Sequence, residues 1–290
     1  MTGSSPGTLV VVATPIGNLG DLSPRAVRTL AEADLLVCED TRRTRKLLSA
    51  AGVAAPALLL ANDHTEAAAI GTVLRALGAG DTVAVISDAG LPGISDPGER
   101  LVRAAVAAGV EVAVVPGPSA ALSGLVVSGL PTGRFVFEGF LPRRGSGRQD
   151  RLAALTGERR TILLYEAPHR LARTLGDLSA ALGGDRQIAL CRELTKLHEE
   201  VWRGTLADAM AMTGLAEPRG EYVLVVAGAA PAPVADDEAL AALLARLVDE
   251  GASTRDAVAE VSATYEVPRK RVYELAVRPG QRSTDPASRD

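Results

Sequence analysis

This sequence lacks membrane-length hydrophobic runs, paired cysteines, metal-ligand spacings and phosphate-binding loops, and each absence removes a class of function. Hydrophobic residues make up 47 % of the 290, but in short runs, none near the roughly 18 consecutive apolar residues of a membrane span. The expectation is a soluble protein with no membrane association. Only Cys38 and Cys191 are present, far apart and each at the end of a predicted strand. That placement fits buried thiols in a reducing compartment better than a disulfide. His64, His169 and His198 are scattered, and neither H-E-x-x-H nor C-x-x-C occurs, so no metal site is expected. Without G-x-x-x-x-G-K-[ST], or G-x-G-x-x-G after the first strand, P-loop hydrolysis and ordinary dinucleotide binding lose their main support. No G-x-S-x-G elbow points to a serine hydrolase. The opening MTGSSPG has neither the basic region nor the apolar core of a signal peptide, which makes the cytoplasm the expected location. A net charge of −4 argues against a uniformly basic coat but leaves room for local basic patches.

What is present is an alternation of short apolar strands and helices. Strands are expected at Thr8–Ala13, Leu35–Cys38, Leu58–Leu60, Val83–Ile86 and Val110–Val115, with helices between them opened by Ser23-Pro24, by Arg42, by Thr65 as cap, and by Asp96 as cap with Pro97 in the first position. Such alternation implies a parallel sheet with right-handed crossovers. Its five strand ends then share one edge, reading TPIG, EDT, NDH, SDAG and PGPS. Ligands bind at that edge in open α/β sheets. The stretch Val83–Gly98, VAVISDAGLPGISDPG, is its centre: glycines permit close backbone approach, and Asp88 and Asp96 offer carboxylates to hydroxyls or positive charge.

After a helix at Ser119–Ser128 the texture changes. Strands at Phe135–Phe137, Thr161–Tyr165, Gln187–Cys191, Glu199–Gly204 (an edge strand) and Tyr222–Ala227 include neighbours without crossovers, which predicts a mixed sheet. Between them, Arg143–Asp150 reads as a polar loop and a helix is expected near Arg151–Thr156. The expected organisation is a disordered tail at 1–7, an α/β domain at 8–118, a second α/β domain at 119–228, a linker at 229–236, a helical appendage at 237–278 and a second tail at 279–290.

At this point the motifs carry a resemblance. Thr14-Pro15-Ile16-Gly17-Asn18-Leu19, Glu39-Asp40-Thr41-Arg42, Ser87-Asp88-Ala89-Gly90 with Ser95-Asp96-Pro97-Gly98, Pro116-Gly117-Pro118-Ser119-Ala120, Glu138-Gly139-Phe140-Leu141-Pro142, Tyr165-Glu166 with His169-Arg170, and Arg192-Glu193-Leu194-Thr195-Lys196 together resemble the bacterial ribosomal small-subunit RNA ribose 2'-O-methyltransferases of the tetrapyrrole methylase superfamily. The likeness runs from Leu9 to about Val277. One departure is Leu91, where that family more often has threonine.

The resemblance implies the two-domain tetrapyrrole methylase fold, with a parallel-sheet first domain, a mixed-sheet second domain and a helical appendage, acting as a homodimer. It implies S-adenosylmethionine in the cleft between the domains, held by Pro15, Gly17, Asp88, Ala89, Gly90, Leu91, Ser119 and Ala120 and, from the second domain, by Leu141, Glu166 and Leu194. The implied substrate is a cytidine of the decoding centre of 16S ribosomal RNA, within the small subunit, methylated on its ribose oxygen. A cofactor with a sulfonium and no phosphate suits a glycine-rich, acid-bearing site without a P-loop lysine.

Such a transfer needs alignment and a proton acceptor. Asp40, Asp63, His64, Glu193 and Lys196 are the candidates at strand ends. Lys196 is singled out because lysines are few here and a desolvated amine can release its proton; a phosphate contact is its alternative role. For RNA, two basic clusters stand out: Arg42, Arg43, Arg45 and Lys46 on one helix, and Arg143, Arg144, Arg148 and Arg151 on the polar loop. A single basic run is commonly a solvated face, but two flanking one cleft read as phosphate contacts. Two other functions remain open: C-methylation of a corrin precursor, and a non-catalytic RNA-binding assembly factor.

Overall fold

A computed structural model describes residues 7–213, 218–230, 236–265 and 267–277. The expected tails, apart from Gly7, and most of the expected linker lie outside these. The chain divides into two compact units, Met1–Ala229 and Ala230–Asp290.

The first unit begins with β1 (Thr8–Val12), α1 (Pro24–Glu32), β2 (Leu35–Cys38), α2 (Thr41–Ala50), β3 (Ala57–Leu60), α3 (Glu66–Ala79), β4 (Val83–Val85), α4 (Glu99–Ala107) and β5 (Glu111–Val115). These strands form a parallel sheet in the order β3-β2-β4-β1-β5. Side chains alternate across a strand, so β4 sends Val83 and Val85 into the core under α3 and α4, and Ala84, with Ile86 after it, into the core under α1 and α2. Both faces being covered explains the unbroken apolar runs of the strands. Ser23 caps α1 by accepting from the Ala26 amide.

Two cap expectations are corrected. Thr65 stands at the start of α3 but makes no capping bond; Asn62 Oδ1 accepts from the amides of His64 and Thr65. Asp96 and Pro97 do not open α4. That helix starts at Glu99, and its free amides are satisfied by the buried carboxylate of Glu66 on α3, which accepts from Gly98, Arg100 and Leu101. A carboxylate brought from another helix has displaced the local cap, and Asp96 is left facing elsewhere.

The chain continues through α5 (Ala120–Ser128), β6 (Phe135–Phe140), α6 (Ser146–Thr156), β7 (Thr161–Glu166), α7 (Pro168–Leu182), β8 (Gln187–Arg192), β9 (Glu200–Thr205), α8 (Leu206–Thr213) and β10 (Tyr222–Val226). The second sheet is mixed, in the order β6-β7-β10-β8-β9, with β6 and β7 parallel and the other pairs antiparallel. β10, buried along its whole length, is at its centre and β9 at an edge. One face packs on α6, α7 and α8 through Ile162, Leu164, Leu171, Leu175 and Leu224. The other takes Leu163, Ala189, Val223 and Val225 against α5, and it also receives Ile16 from the loop after β1. That shared cluster ties the two sheets together. The polar stretch before Arg151 is shorter than expected, because α6 already begins at Ser146.

The second unit is a bundle of α9 (Asp237–Asp249), α10 (Thr254–Tyr265) and α11 (Arg269–Val277), closed around Leu240, Leu244, Val261 and Val272. Among the described residues, no helix is long and apolar enough to cross a membrane.

Candidate active site

Neighbouring strands β1 and β4 end side by side, and their loops are stitched together: Thr14 and Gly90 exchange backbone hydrogen bonds of 2.8 and 3.1 Å, and the Thr14 hydroxyl donates to Ser87 O. Gly90 sits at φ +81°, a left-handed conformation that glycine adopts at low cost. From the other side comes the loop after β8. The Asn18 amide donates to Thr195 Oγ1, and Gly17 lies so close that a Cβ there would stand 2.4 Å from Lys196 Cγ. In this loop Glu193 and Thr195 both hold positive φ, 50° and 66°. Non-glycine residues are rare in that region and cluster at working sites.

Between these loops and the second sheet lies a cavity of about 450 Å³. Ala89, Gly90, Leu91, Ser119 and Ala120 line it from the first sheet, and Glu166, Leu194 and Lys196 from the second. Of the other expected cofactor residues, Pro15, Gly17, Asp88 and Leu141 are not in the lining. Gly17 backs the Lys196 loop, Leu141 is buried in the second core, and Asp88 forms a 3.1 Å ion pair with Arg43 of α2. Ser119 caps α5 through the Leu122 amide. Glu166 is fixed on all sides: Oε1 accepts from the Ala167 amide and lies 3.3 Å from Arg170 Nε, and Oε2 accepts from Thr174 Oγ1 at 2.5 Å.

Of the five proton-acceptor candidates, Asp63 is exposed and outside the cavity lining, Glu193 lines the cavity bonded to Lys196, and the other three part company. Lys196 faces the cavity, but its ammonium donates to Glu193 at 2.9 Å and to Glu221 at 2.7 Å. Desolvation pulls its pKa down, yet the two carboxylates outweigh it and the value is raised. The amine is held protonated, contrary to the expectation of a desolvated, proton-releasing lysine. Asp40 is occupied as the cap of α2, accepting from the amides of Arg42 and Arg43. Those bonds lower its pKa. His64, exposed beyond β3, does not reach the cavity.

A carboxylate that the sequence offered both as a helix cap and to a ligand faces the cavity instead. Asp96 lines the cavity, and burial, with Glu39, Asp88 and Asp63 adding like charge, pushes its pKa to about 7 against an opposing hydrogen bond from Ser87. Burial and the charge of Asp88 also raise Glu39. An aromatic wall was not expected. Tyr165 and Phe140 line the cavity, and the Tyr165 ring meets Phe140 at 5.6 Å and Phe137 at 5.0 Å between centroids. The signal was available: the chain's three phenylalanines all fall in β6, at 135, 137 and 140.

The lining thus carries four carboxylates, Asp96, Glu166, Glu193 and Glu221, against one cation, Lys196. With an apolar floor and the φ-positive Gly90 backbone, it fits a cationic, aromatic ligand of adenosyl sulfonium type and not a phosphate ester.

Of the expected RNA contacts, Arg42, Arg43, Arg45 and Lys46 are exposed on α2, and Arg143 and Arg144 on the loop after β6. Arg151 pairs with Glu138 at 3.1 Å. Arg148 is the exception. Only 3 % exposed, it donates to Asp177, Pro142 O and Thr174, because the first turn of α6 turns it inward against α7.

Two α/β sheets with their loops around one cleft are the architecture of the family described as Tetrapyrrole (Corrin/Porphyrin) Methylases, whose model matches residues 8–210. The chain is 46 % identical to the Synechocystis protein named ribosomal RNA small subunit methyltransferase I, covering 93 % of this chain and 98 % of that one. It is equally 46 % identical to the Mycobacterium tuberculosis protein of the same name, over 97 % and 98 %. The chain belongs to the tetrapyrrole methylase family and, within it, to the ribosomal RNA small subunit methyltransferase I group. In fold it is also similar to a uroporphyrin-III C-methyltransferase of Thermus thermophilus solved with S-adenosylhomocysteine, at 21 % identity and a TM-score of 0.53 over 76 % of this chain and 97 % of that one.

Proposed function

We propose that this protein is an S-adenosylmethionine-dependent methyltransferase that acts on 16S ribosomal RNA and modifies the ribose 2'-oxygen of a cytidine in the decoding centre. The observation that carries the reading is the acid-rich, aromatic-walled cavity between the strand-end loops, in a chain 46 % identical to relatives named ribosomal RNA small subunit methyltransferase I. We infer further that it works as a homodimer in the cytoplasm, on RNA within the small subunit.

When bound, S-adenosylmethionine supplies an activated methyl group and a neutral thioether as leaving group. The chain's own task is alignment of oxygen, methyl and sulfur, and handling of one proton. Tyr165 and Phe140 offer an apolar face to the adenosyl group, while the carboxylates of the lining favour its positive charge. Asp96 is the proton acceptor in this reading, because a carboxylate with a pKa of about 7 is half ionised at neutral pH and strong enough to take a hydroxyl proton. Lys196, clamped between Glu193 and Glu221, holds the β8 loop against Gly17 and keeps a fixed positive charge at the RNA side. The exposed arginines of α2 hold the RNA backbone without reading its bases.

The test is methyl transfer from labelled S-adenosylmethionine to isolated small subunits, to naked 16S RNA and to a corrin precursor, with mass mapping of the RNA. Label on a cytidine ribose establishes the reading. Label on the corrin alone, or cofactor-independent RNA binding with no transfer, replaces it.

A further inference from the structure

Beside the cavity lies a second pocket of about 310 Å³, lined by Arg143, Arg148, His169, Arg170, Arg173 and Thr174. We propose that it binds a backbone phosphate of the RNA substrate, so that the strand is anchored one wall away from the methyl donor. The inference rests on the proposed RNA methyltransferase activity and assigns that activity a specific substrate contact.

Charge is the first argument. Four guanidiniums surround the pocket, and among the described residues the carboxylates paired with them are Asp177, shared by Arg148 at 2.7 Å and Arg173 at 3.8 Å, and Glu166, beside Arg170. Arg143 is exposed and has no acidic partner among the described residues. Positive charge in excess at a concave site calls for an anion, and arginine matches the oxygens of a phosphate with two parallel donors.

The wall is also built. Arg148, buried, has its donors fixed to Asp177, Pro142 O and Thr174, and Arg170 is pinned to Leu141 O and Glu166. These two hold the pocket open, leaving the exposed Arg143 and Arg173 to reach a ligand. Helices α6 and α7 both begin here with no side-chain cap, after Gly145 and Ala167, and helix starts favour negative charge. No carboxylate is in the lining, so the pocket offers no acidic acceptor for a base edge, while its guanidiniums match phosphate oxygens. Finally, it adjoins the site. His169 lines both hollows, and Glu166, in the wall of the first, is bonded to Thr174 in the wall of the second.

The experiment compares wild type, the double variant Arg143→Gln/Arg173→Gln and, as a charge control, Arg75→Gln on the exposed side of α3. For the double variant we expect the slope of log affinity against log salt to be shallower by about one, as for one lost phosphate contact. KM for RNA should rise about tenfold, with kcat at saturating RNA and the dissociation constant of S-adenosylmethionine unchanged. A wild-type slope and KM in the double variant, or an equal change in Arg75→Gln, overturns the pocket. So does inorganic phosphate that binds wild type and not the double variant while RNA affinity is the same in both, since the pocket then serves free phosphate. A wild type that neither binds S-adenosylmethionine nor methylates RNA overturns the proposed function instead.

Discussion

Replacing Asp96 with Asn separates stability from catalysis in opposite directions. In the folded protein the Asp96 carboxyl is raised from 3.8 to about 7, so between those pH values the unfolded chain is ionised while the folded protein keeps its proton. The folded state binds more protons there, and stability falls as pH rises through that window. For a fully desolvated group the difference corresponds to about 4 kcal/mol. Asp96 is half-buried beside an open cavity, and solvent screening leaves roughly 1–2 kcal/mol. The Asn variant does not ionise and escapes this cost. Its melting temperature should therefore exceed that of wild type at pH 8 and converge on it near pH 4, with the gap opening between. Methyl transfer, by contrast, should drop about 10²- to 10⁴-fold, with loss of the limb of the pH–rate profile near 7. Scanning calorimetry across pH and single-turnover transfer read the two effects. Parallel melting curves at all pH values would refute the buried, raised carboxyl, and full activity in Asp96→Asn would refute its role.

Glu66→Ala removes the acceptor of three amides at the start of α4 and should cost about 2–3 kcal/mol, with faster hydrogen exchange at Gly98, Arg100 and Leu101; unchanged exchange there refutes the remote cap. Gly17→Ala places a Cβ against Lys196 and Thr195, and the displaced β8 loop should lower transfer about 10²-fold at near-native stability; wild-type turnover contradicts the close packing. Lys196→Arg should keep much of the activity and Lys196→Ala little of it, because a fixed charge and not a neutral amine is used; equal loss in both variants counts against that role. Neutralising Arg42, Arg43 and Arg45 together should flatten the salt dependence of RNA binding, most simply read by filter binding at graded salt; an unaltered slope removes α2 from the RNA path.

Much of the architecture was legible in the chain because it is locally encoded. Unbroken apolar runs such as Leu35–Cys38 mark strands buried on both faces, and Ser23-Pro24 marks a helix start through a cap three residues from its amide. The polar strand ends could be gathered on one edge because a parallel sheet with crossovers leaves no other place for them. By itself, then, the sequence determined the alternation of elements, the mixed second sheet and the loops that meet at the cleft. Only tertiary structure decided what individual charges do there. Glu66 caps a helix more than thirty residues away and frees Asp96 for the cavity; Glu221, 25 residues from Lys196, joins the local Glu193 in keeping it protonated; α7 draws Arg148 out of the solvent. Periodicity reports which face of an element is buried, whereas the pKa and the partner of a side chain depend on which distant groups come within a few ångströms of it.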